Sequence, residues 1–129
     1  QLVRKFPEQR FVLDHLGKPQ IRAGLLEKWA EEIRELAKAP NVSCKLSGMV
    51  TEARHGDWQG GDFVPYLDVV WDAFGADRLM IGSDWPVCLL NADYFSTMQI
   101  VIEYLAQFDL DTQDKVLGGN ATQFYQLKF

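Results

Sequence analysis

Residues 78–87, RLMIGSDWPV, decide the fold and raise its functional question. The apolar residues at 79–81 are typical of a strand that is buried on both faces, as in a parallel sheet. Such a strand normally ends in an ordinary turn, yet this one ends in an acid, Asp84, followed by Trp85 and Pro86. A strand that carries a carboxylate to its own end indicates a functional site at that end.

Two earlier apolar runs have the same form. Residues 11–13, FVL, lead into Asp14 and His15, and residues 41–46, NVSCKL, lead into Ser47. Because a helical pattern separates each run from the next, the order predicts a parallel α/β sheet with right-handed crossovers.

Helices are predicted around these strands. Residues 1–6 are predicted to be the last part of a first helix, which stops before Pro7. Apolar residues at helical spacing predict a second helix over 22–39. A third runs to Phe74 with Pro65 in its first turn, a fourth follows the third strand, and two short helices close the chain. The predicted N-caps are Asp62, Asn91 or Asp93, and Asn120.

Composition narrows the class of protein. The chain has 129 residues, a net charge of −5 and 47% hydrophobic residues, which suits a single globular domain. The acidic balance argues against nucleic acid and anionic membranes as partners, and no apolar run approaches the length of a membrane span. Cys44 and Cys88 lack metal-type spacing, so we expect reduced thiols in a cytoplasmic protein.

The predicted strand ends define one candidate site. In parallel α/β folds the carboxyl ends of the strands point to a common opening, where ligands bind. Polar side chains follow all three strands at this opening. They are Asp14 and His15 after the first strand, Lys45 and Ser47 at the second, and Ser83, Asp84 and Trp85 after the third.

Four segments carry a family resemblance: FVLDHLGKP (11–19), KLSGMVTEA (45–53), FGADRLMIGSDWPVC (74–88) and GGNATQFYQL (118–127). Together they resemble the amidohydrolase-related family, and are most similar to its sugar-lactonase, L-fuconolactonase-like branch. The resemblance implies a (β/α)₈ TIM barrel that hydrolyses an ester or amide, often a lactone. His15 would then end barrel strand six, residues 47–52 would follow strand seven, and Asp84 would end strand eight.

The chain departs from this family in length and in its histidines. A complete barrel needs about 250 residues, so residues 1–129 are interpreted as a single partial TIM-barrel domain with about strands six to eight. The paired histidines of the family's first strand have no counterpart, since the only histidines are His15 and His55. The resemblance implies one divalent metal, most often zinc, with His15 and Asp84 as its ligands in this chain. The alternative is that this branch of the family uses no metal.

The resemblance also implies catalytic roles. Asp84 would take a proton from the attacking water and return it to the leaving oxygen; the alternative is a turn or helix-cap acid. His15 would bind the substrate carbonyl or the metal, unless it is only structural. Asp14 is expected to be a buried hydrogen-bond partner. Lys18 would hold an anionic or hydroxyl-rich substrate, or else be a solvated lysine.

Further residues at the opening are predicted to bind the substrate. Ser47 lies at the second strand end, and the long loop after it either sets specificity or is a mobile surface segment. In that loop a tryptophan would stack on a sugar ring. Trp85 and Pro86 would form the pocket wall, whereas Trp29 and Trp71 are expected in the core. The loop candidates are Glu52, Arg54, His55 and Trp58.

Three parallel strands cannot close into a barrel, so we expect exposed strand edges. We therefore predict a homo-oligomer, or a complex with the missing N-terminal part of the barrel, and an inactive fragment when the chain is alone. The leading hypothesis is a hydrolase that opens a small-molecule sugar lactone. The rival is a non-catalytic α/β binding or assembly module derived from a barrel scaffold. A nucleotide-binding fold is disfavoured because no glycine-rich phosphate loop follows a strand.

Overall fold

Three short parallel strands and the helices between them organise residues 2–129, which a computed structural model describes. The strands are β1 (Phe11–Leu13), β2 (Val42–Leu46) and β3 (Leu79–Ile81). The helices are α1 (Leu2–Lys5), α2 (Glu27–Ala37), α3 (Val64–Phe74), α4 (Tyr94–Leu105), α5 (Leu110–Asp114) and α6 (Asn120–Tyr125). Gln1, which the first predicted helix included, lies outside the described residues.

The sheet has the predicted parallel topology. Its order is β1-β2-β3, with Leu13 opposite Cys44 and Cys44 opposite Leu79. Along β2, burial alternates because successive side chains point to opposite faces of the sheet. Helices α2 and α3 pack against each other and against β2, which covers one face of the sheet. All three strands therefore end at the same edge.

The core contains the two tryptophans that were predicted there. Trp29 lies on α2 and donates its indole N–H to the carbonyl of Leu16 at 2.8 Å. Trp71 lies on α3 and stacks on Phe108, with ring centroids 4.0 Å apart. Both rings are partly buried against the hydrophobic core, as the helical spacing predicted.

Helix α2 begins later than predicted. The prediction was 22–39, but Ile21–Ala23 form a 3₁₀ turn and Gly24 has a positive φ of 65°. A left-handed residue breaks the helical path, so the α-helix starts only at Glu27.

The predicted cap of α3 is wrong, and one of the two candidates for the cap of α4 is right. Asp62 does not cap α3; its carboxylate accepts from the backbone N–H of Gln59 within the preceding turn. Asp93 does cap α4, because its carboxylate accepts from the N–H of Ser96 at 2.7 Å. The other candidate at that helix, Asn91, binds a different loop, described below.

The C-terminal helices also differ from prediction. Instead of two helices separated by glycines, α5 continues through a π-helical turn, Lys115–Gly119, directly into α6. Asn120 has helical backbone angles and is therefore not a cap. Its side-chain amide instead donates to the carbonyls of Ala76 and Leu79, at 2.6 and 2.8 Å. The residue anchors α6 to the start of β3.

Arg78 joins three elements at the opposite end of the sheet from the candidate site. Its guanidinium donates to the carbonyls of Phe74, Ala39 and Val42, within 3.1 Å in each case. These carbonyls lie at the end of α3, in the α2–β2 connection and at the start of β2, so one side chain ties the three segments together. Burial lowers the pKa of Arg78 from its ordinary value. Within residues 2–129, no helix combines the length and apolar character needed to span a membrane.

Candidate active site

The residues that follow β1 and β3 have an unusual backbone. His15 and Leu16 have φ values of 54° and 53°, and Asp84 has a φ of 55°. Left-handed angles are uncommon for residues other than glycine, and they cluster at functional sites. The backbone therefore turns sharply at each strand end and directs the His15 and Asp84 side chains toward each other.

His15 links the ends of all three strands. Its Nδ1 atom lies 2.8 Å from Oγ of Ser47, which follows β2. On the other side of the ring, Nε2 lies 3.5 Å from Oδ1 of Asp84, which follows β3. The predicted meeting of His15, Ser47 and Asp84 at one opening is confirmed.

The three side chains differ in access to solvent. The side chains of His15 and Asp84 are 24% and 13% exposed, respectively. Ser47 is only 3% exposed and contacts Nδ1 of His15, the ring nitrogen that does not face Asp84. A small molecule that enters the opening would thus meet His15 and Asp84 first, and the predicted substrate contact of Ser47 remains a prediction.

Two glycines create the space for this arrangement. A Cβ atom on Gly48 would lie 2.7 Å from Cβ and Cγ of His15, closer than real side chains approach. A Cβ atom on Gly82 would lie 3.1 Å from Cβ of Ser47. Both glycines lie in segments that carry the family resemblance, but the sequence alone does not indicate this packing role.

Asp14 is exposed and not buried, so that prediction is wrong. Its side chain is 55% exposed, with Oδ1 3.0 Å from Nζ of Lys45 and Oδ2 3.8 Å from Nε2 of His15. Burial lowers the pKa of Lys45, but hydrogen bonds to Asp14 and Tyr125 outweigh it and raise the pKa overall. Lys45 points from within β2 toward Asp14 and partly neutralises the acid beside His15. Sequence reasoning placed Lys45 at the opening but missed this pairing.

The rim of the opening carries an ion pair that joins two loops. Nζ of Lys18, after β1, lies 3.2 Å from Oε1 of Glu52, after β2. The Lys18 side chain is 58% exposed and that of Glu52 27%, so both remain accessible beside the opening. The structure thus brings these two predicted substrate-binding residues together.

The loop after β2 is held by Asn91. The side-chain amide of Asn91 donates to the carbonyls of Val50 and Arg54, and its oxygen accepts from the N–H of Gly56. Sequence reasoning considered Asn91 only as a helix cap. The polar, glycine-containing loop is therefore fixed by a residue that follows β3.

The aromatic candidates at the loops are placed differently from one another. Trp58 donates its indole N–H to the carbonyl of Asn91 and packs its ring edge on Phe63, 5.3 Å between centroids. These contacts turn Trp58 toward the core rather than toward His15 and Asp84. His55 is exposed. Trp85 is 63% exposed immediately after Asp84 and stays at the rim.

His15 and Asp84 fit a metal only as part of a ligand set. Imidazole nitrogen and carboxylate oxygen are both zinc ligands, and Nε2 and Oδ1 face the same space. A zinc site needs three or four protein ligands, however, and no group of three suitable side chains occurs among residues 2–129. The described residues therefore do not form a complete zinc site by themselves.

Comparison with known protein families identifies the family of this chain. The family model described as Amidohydrolase matches residues 1–127 of the chain. The chain belongs to the amidohydrolase family. The three parallel strands are thus part of a TIM barrel, as the resemblance implied.

Lactonases are among the amidohydrolase relatives. The chain is 42% identical over 130 residues to an L-fucono-1,5-lactonase of Burkholderia ambifaria, covering 96% of this chain and 44% of that protein. An L-fucono-1,5-lactonase of Burkholderia multivorans is 43% identical, over 90% of this chain and 43% of its own length. The chain therefore spans less than half the length of these relatives.

A solved amidohydrolase structure has the same fold. The crystal structure of an amidohydrolase from Burkholderia multivorans with bound zinc aligns with 98% of this chain and 48% of its own. The TM-score is 0.87 and the sequence identity 39%. The partial barrel of this chain thus has the geometry of a corresponding part of a longer amidohydrolase.

Proposed function

We propose that this chain forms the C-terminal strands of an amidohydrolase barrel that hydrolyses a sugar lactone, with Asp84 as general base and acid. The observation that carries the proposal is the position of Asp84 beside His15, 3.5 Å from Oδ1 to Nε2, at the common end of the parallel strands. The similarity to two L-fucono-1,5-lactonases supports a lactone of a six-carbon sugar acid as the substrate class.

The first chemical step is attack of water on the lactone carbonyl carbon. Asp84 accepts one proton from the water as the new C–O bond forms, and the carbonyl oxygen becomes an oxyanion. His15 lies next to Asp84 and donates a hydrogen bond to that oxygen as its charge develops. The carboxylate thus acts on the attacking oxygen and the imidazole on the carbonyl oxygen, while the ring oxygen is still bonded to the same carbon.

The second step opens the ring. The tetrahedral intermediate collapses, the bond between the carbonyl carbon and the ring oxygen breaks, and Asp84 returns its proton to that leaving oxygen. The product is the open-chain hydroxy acid, and Asp84 regains its starting charge. No net proton is consumed by the protein.

The rim binds the hydroxyl groups of the sugar. Lys18 and Glu52 form an exposed ion pair beside the opening, which offers both donors and an acceptor. Should zinc be the family's cofactor here, His15 and Asp84 would hold it in part, and it would polarise the carbonyl oxygen and activate the water. Further ligands for the zinc would have to come from outside the described residues.

The experiment is a hydrolysis assay on a panel of aldonolactones with the protein at its natural length. The variant Asp84→Asn keeps the shape of the side chain but cannot accept the proton, so kcat should fall by about 10²–10⁴-fold. Asp77→Asn is the matched control, because Asp77 precedes β3 whereas Asp84 follows it. Absence of turnover on every lactone, with and without added zinc, would favour the non-catalytic module instead.

A further inference from the structure

The hydroxyl of Ser47 has an unusually restricted environment. Ser47 and Thr97 are the two buried polar residues within the described chain, at 3% and 5% exposure. Thr97 donates to a backbone carbonyl, that of Asp93. Oγ of Ser47 has a single hydrogen-bond partner among residues 2–129, Nδ1 of His15 at 2.8 Å.

This environment determines which atom donates. A neutral imidazole has one protonated nitrogen and one acceptor nitrogen. If Nδ1 carried the proton, Ser47 would accept it, and its own buried hydroxyl hydrogen would have no acceptor. If Nδ1 is the acceptor, the hydroxyl donates to it and no buried donor is left unpaired, which is the favoured arrangement.

The contacts of Nε2, on the other side of the ring, independently favour the tautomer with the proton on Nε2. Nε2 of His15 faces two carboxylates, with Oδ1 of Asp84 at 3.5 Å and Oδ2 of Asp14 at 3.8 Å. Ionised carboxylates only accept hydrogen bonds, so a proton on Nε2 is stabilised and a lone pair there is repelled.

We propose that Ser47 is a positioning residue that holds the neutral ring of His15 in the tautomer with the proton on Nε2. The ring then presents an N–H to the space beside Asp84, where the proposed reaction needs a donor for the lactone oxygen. This inference rests on the proposed function for its catalytic meaning, but the tautomer itself does not. It also means that metal binding through Nε2 would require the proton to move to Nδ1 and Ser47 to accept.

The test is nuclear magnetic resonance of the full-length protein labelled with ¹⁵N in histidine, at about pH 9, where histidine rings are neutral. His15→Gln identifies the His15 signals. We expect the protonated-nitrogen signal from Nε2 and the unprotonated one from Nδ1.

In Ser47→Ala the two signals should move toward each other, as the tautomers mix. Ser43→Ala, on the same face of β2, should leave them unchanged. A proton on Nδ1 in the unmodified protein, or no change in Ser47→Ala, would overturn the proposal.

Kinetics provide the second readout. Outer partners that orient metal-ligating histidines typically contribute 10–100-fold, and we expect Ser47→Ala to lower kcat by about the same factor with little change in KM. Ser47→Thr keeps the hydroxyl and should restore the tautomer signals. An unchanged kcat in Ser47→Ala would overturn the catalytic part. If the protein hydrolyses no lactone but the Nε2 proton is observed, the proposed function fails while the tautomer assignment stands.

Discussion

Nε2 of His15 lies 3.5 Å from Oδ1 of Asp84, although the two residues follow the first and third strands of the sheet. This proximity depends on the parallel order β1-β2-β3, which brings all three carboxyl ends to one edge. It also depends on the left-handed backbone at both residues.

Gly48 should be indispensable for the position of His15. In Gly48→Ala the new Cβ would lie 2.7 Å from Cβ of His15, so the His15 side chain must shift from its position beside Asp84. We expect kcat to fall by at least about 10-fold, since misplacement of a catalytic group by about 1 Å has effects of this size or larger. Steady-state kinetics on the lactone substrate measure it.

Gly24→Ala is the matched control for this variant. Gly24 has the same positive φ, 65°, but an added Cβ meets no atom within 4 Å. Both variants carry similar backbone strain, of order 1 kcal/mol, so the contact with His15 is what distinguishes Gly48→Ala from Gly24→Ala. An equal loss of kcat in both variants would show that the contact with His15 is not the cause.

Arg78 should contribute to stability and not to catalysis. Arg78→Leu removes the guanidinium donors to five backbone carbonyls, including those of Phe74, Ala39 and Val42. We expect a loss of about 2–4 kcal/mol in the free energy of unfolding, measured by urea denaturation. Arg54→Leu, which removes an exposed arginine 3.7 Å from Asp57, should cost under about 0.5 kcal/mol. Equal losses would contradict the bridging role.

Cys44 should make the protein less stable at alkaline pH. Burial raises the pKa of this thiol from 9.0 to about 12. The folded thiol thus stays protonated between those values, while the unfolded thiol ionises, so stability falls as pH rises above 9.0 and is unaffected below it. Denaturation midpoints at pH 8 to 11 measure this slope. Cys44→Ala should flatten it; an unchanged slope in that variant would contradict the assignment.

Association should accompany the exposed edges of the sheet. β1 and β3 each pair with only one neighbour among the described strands, which leaves backbone donors and acceptors available. Apolar side chains in the segment after β3 are also exposed, with Trp85 at 63%, Leu90 at 69% and Phe95 at 73%. Sedimentation velocity on the 129-residue chain should show a homo-oligomer. A compact, stable monomer would contradict this prediction.

The strand ends were predictable from sequence because their causes are local. Apolar runs that end in polar residues identify strands, and the parallel alternation then places His15, Ser47 and Asp84 at one edge. No long-range information was needed for that step.

Other features depend on partners that are distant in sequence. Asn120 resembled a helix cap, but its amide binds carbonyls at the start of β3. Asn91 likewise binds the loop after β2. Trp58 turns inward because its indole N–H donates to the carbonyl of Asn91 and its ring packs on Phe63. Asp14 pairs with Lys45 of the neighbouring strand, a contact that periodicity does not encode. Sequence patterns indicate which residues are polar or buried, but not which of several acceptors a side chain reaches.

The most direct test of the account is a double-mutant cycle on His15 and Asp84. If both residues act on the same lactone carbonyl, their contributions to kcat/KM are coupled. We expect His15→Gln to cost at least about 10-fold in the native background but less than about threefold in the Asp84→Asn background. Losses that multiply fully in the double variant would contradict the claim that His15 and Asp84 form one catalytic site.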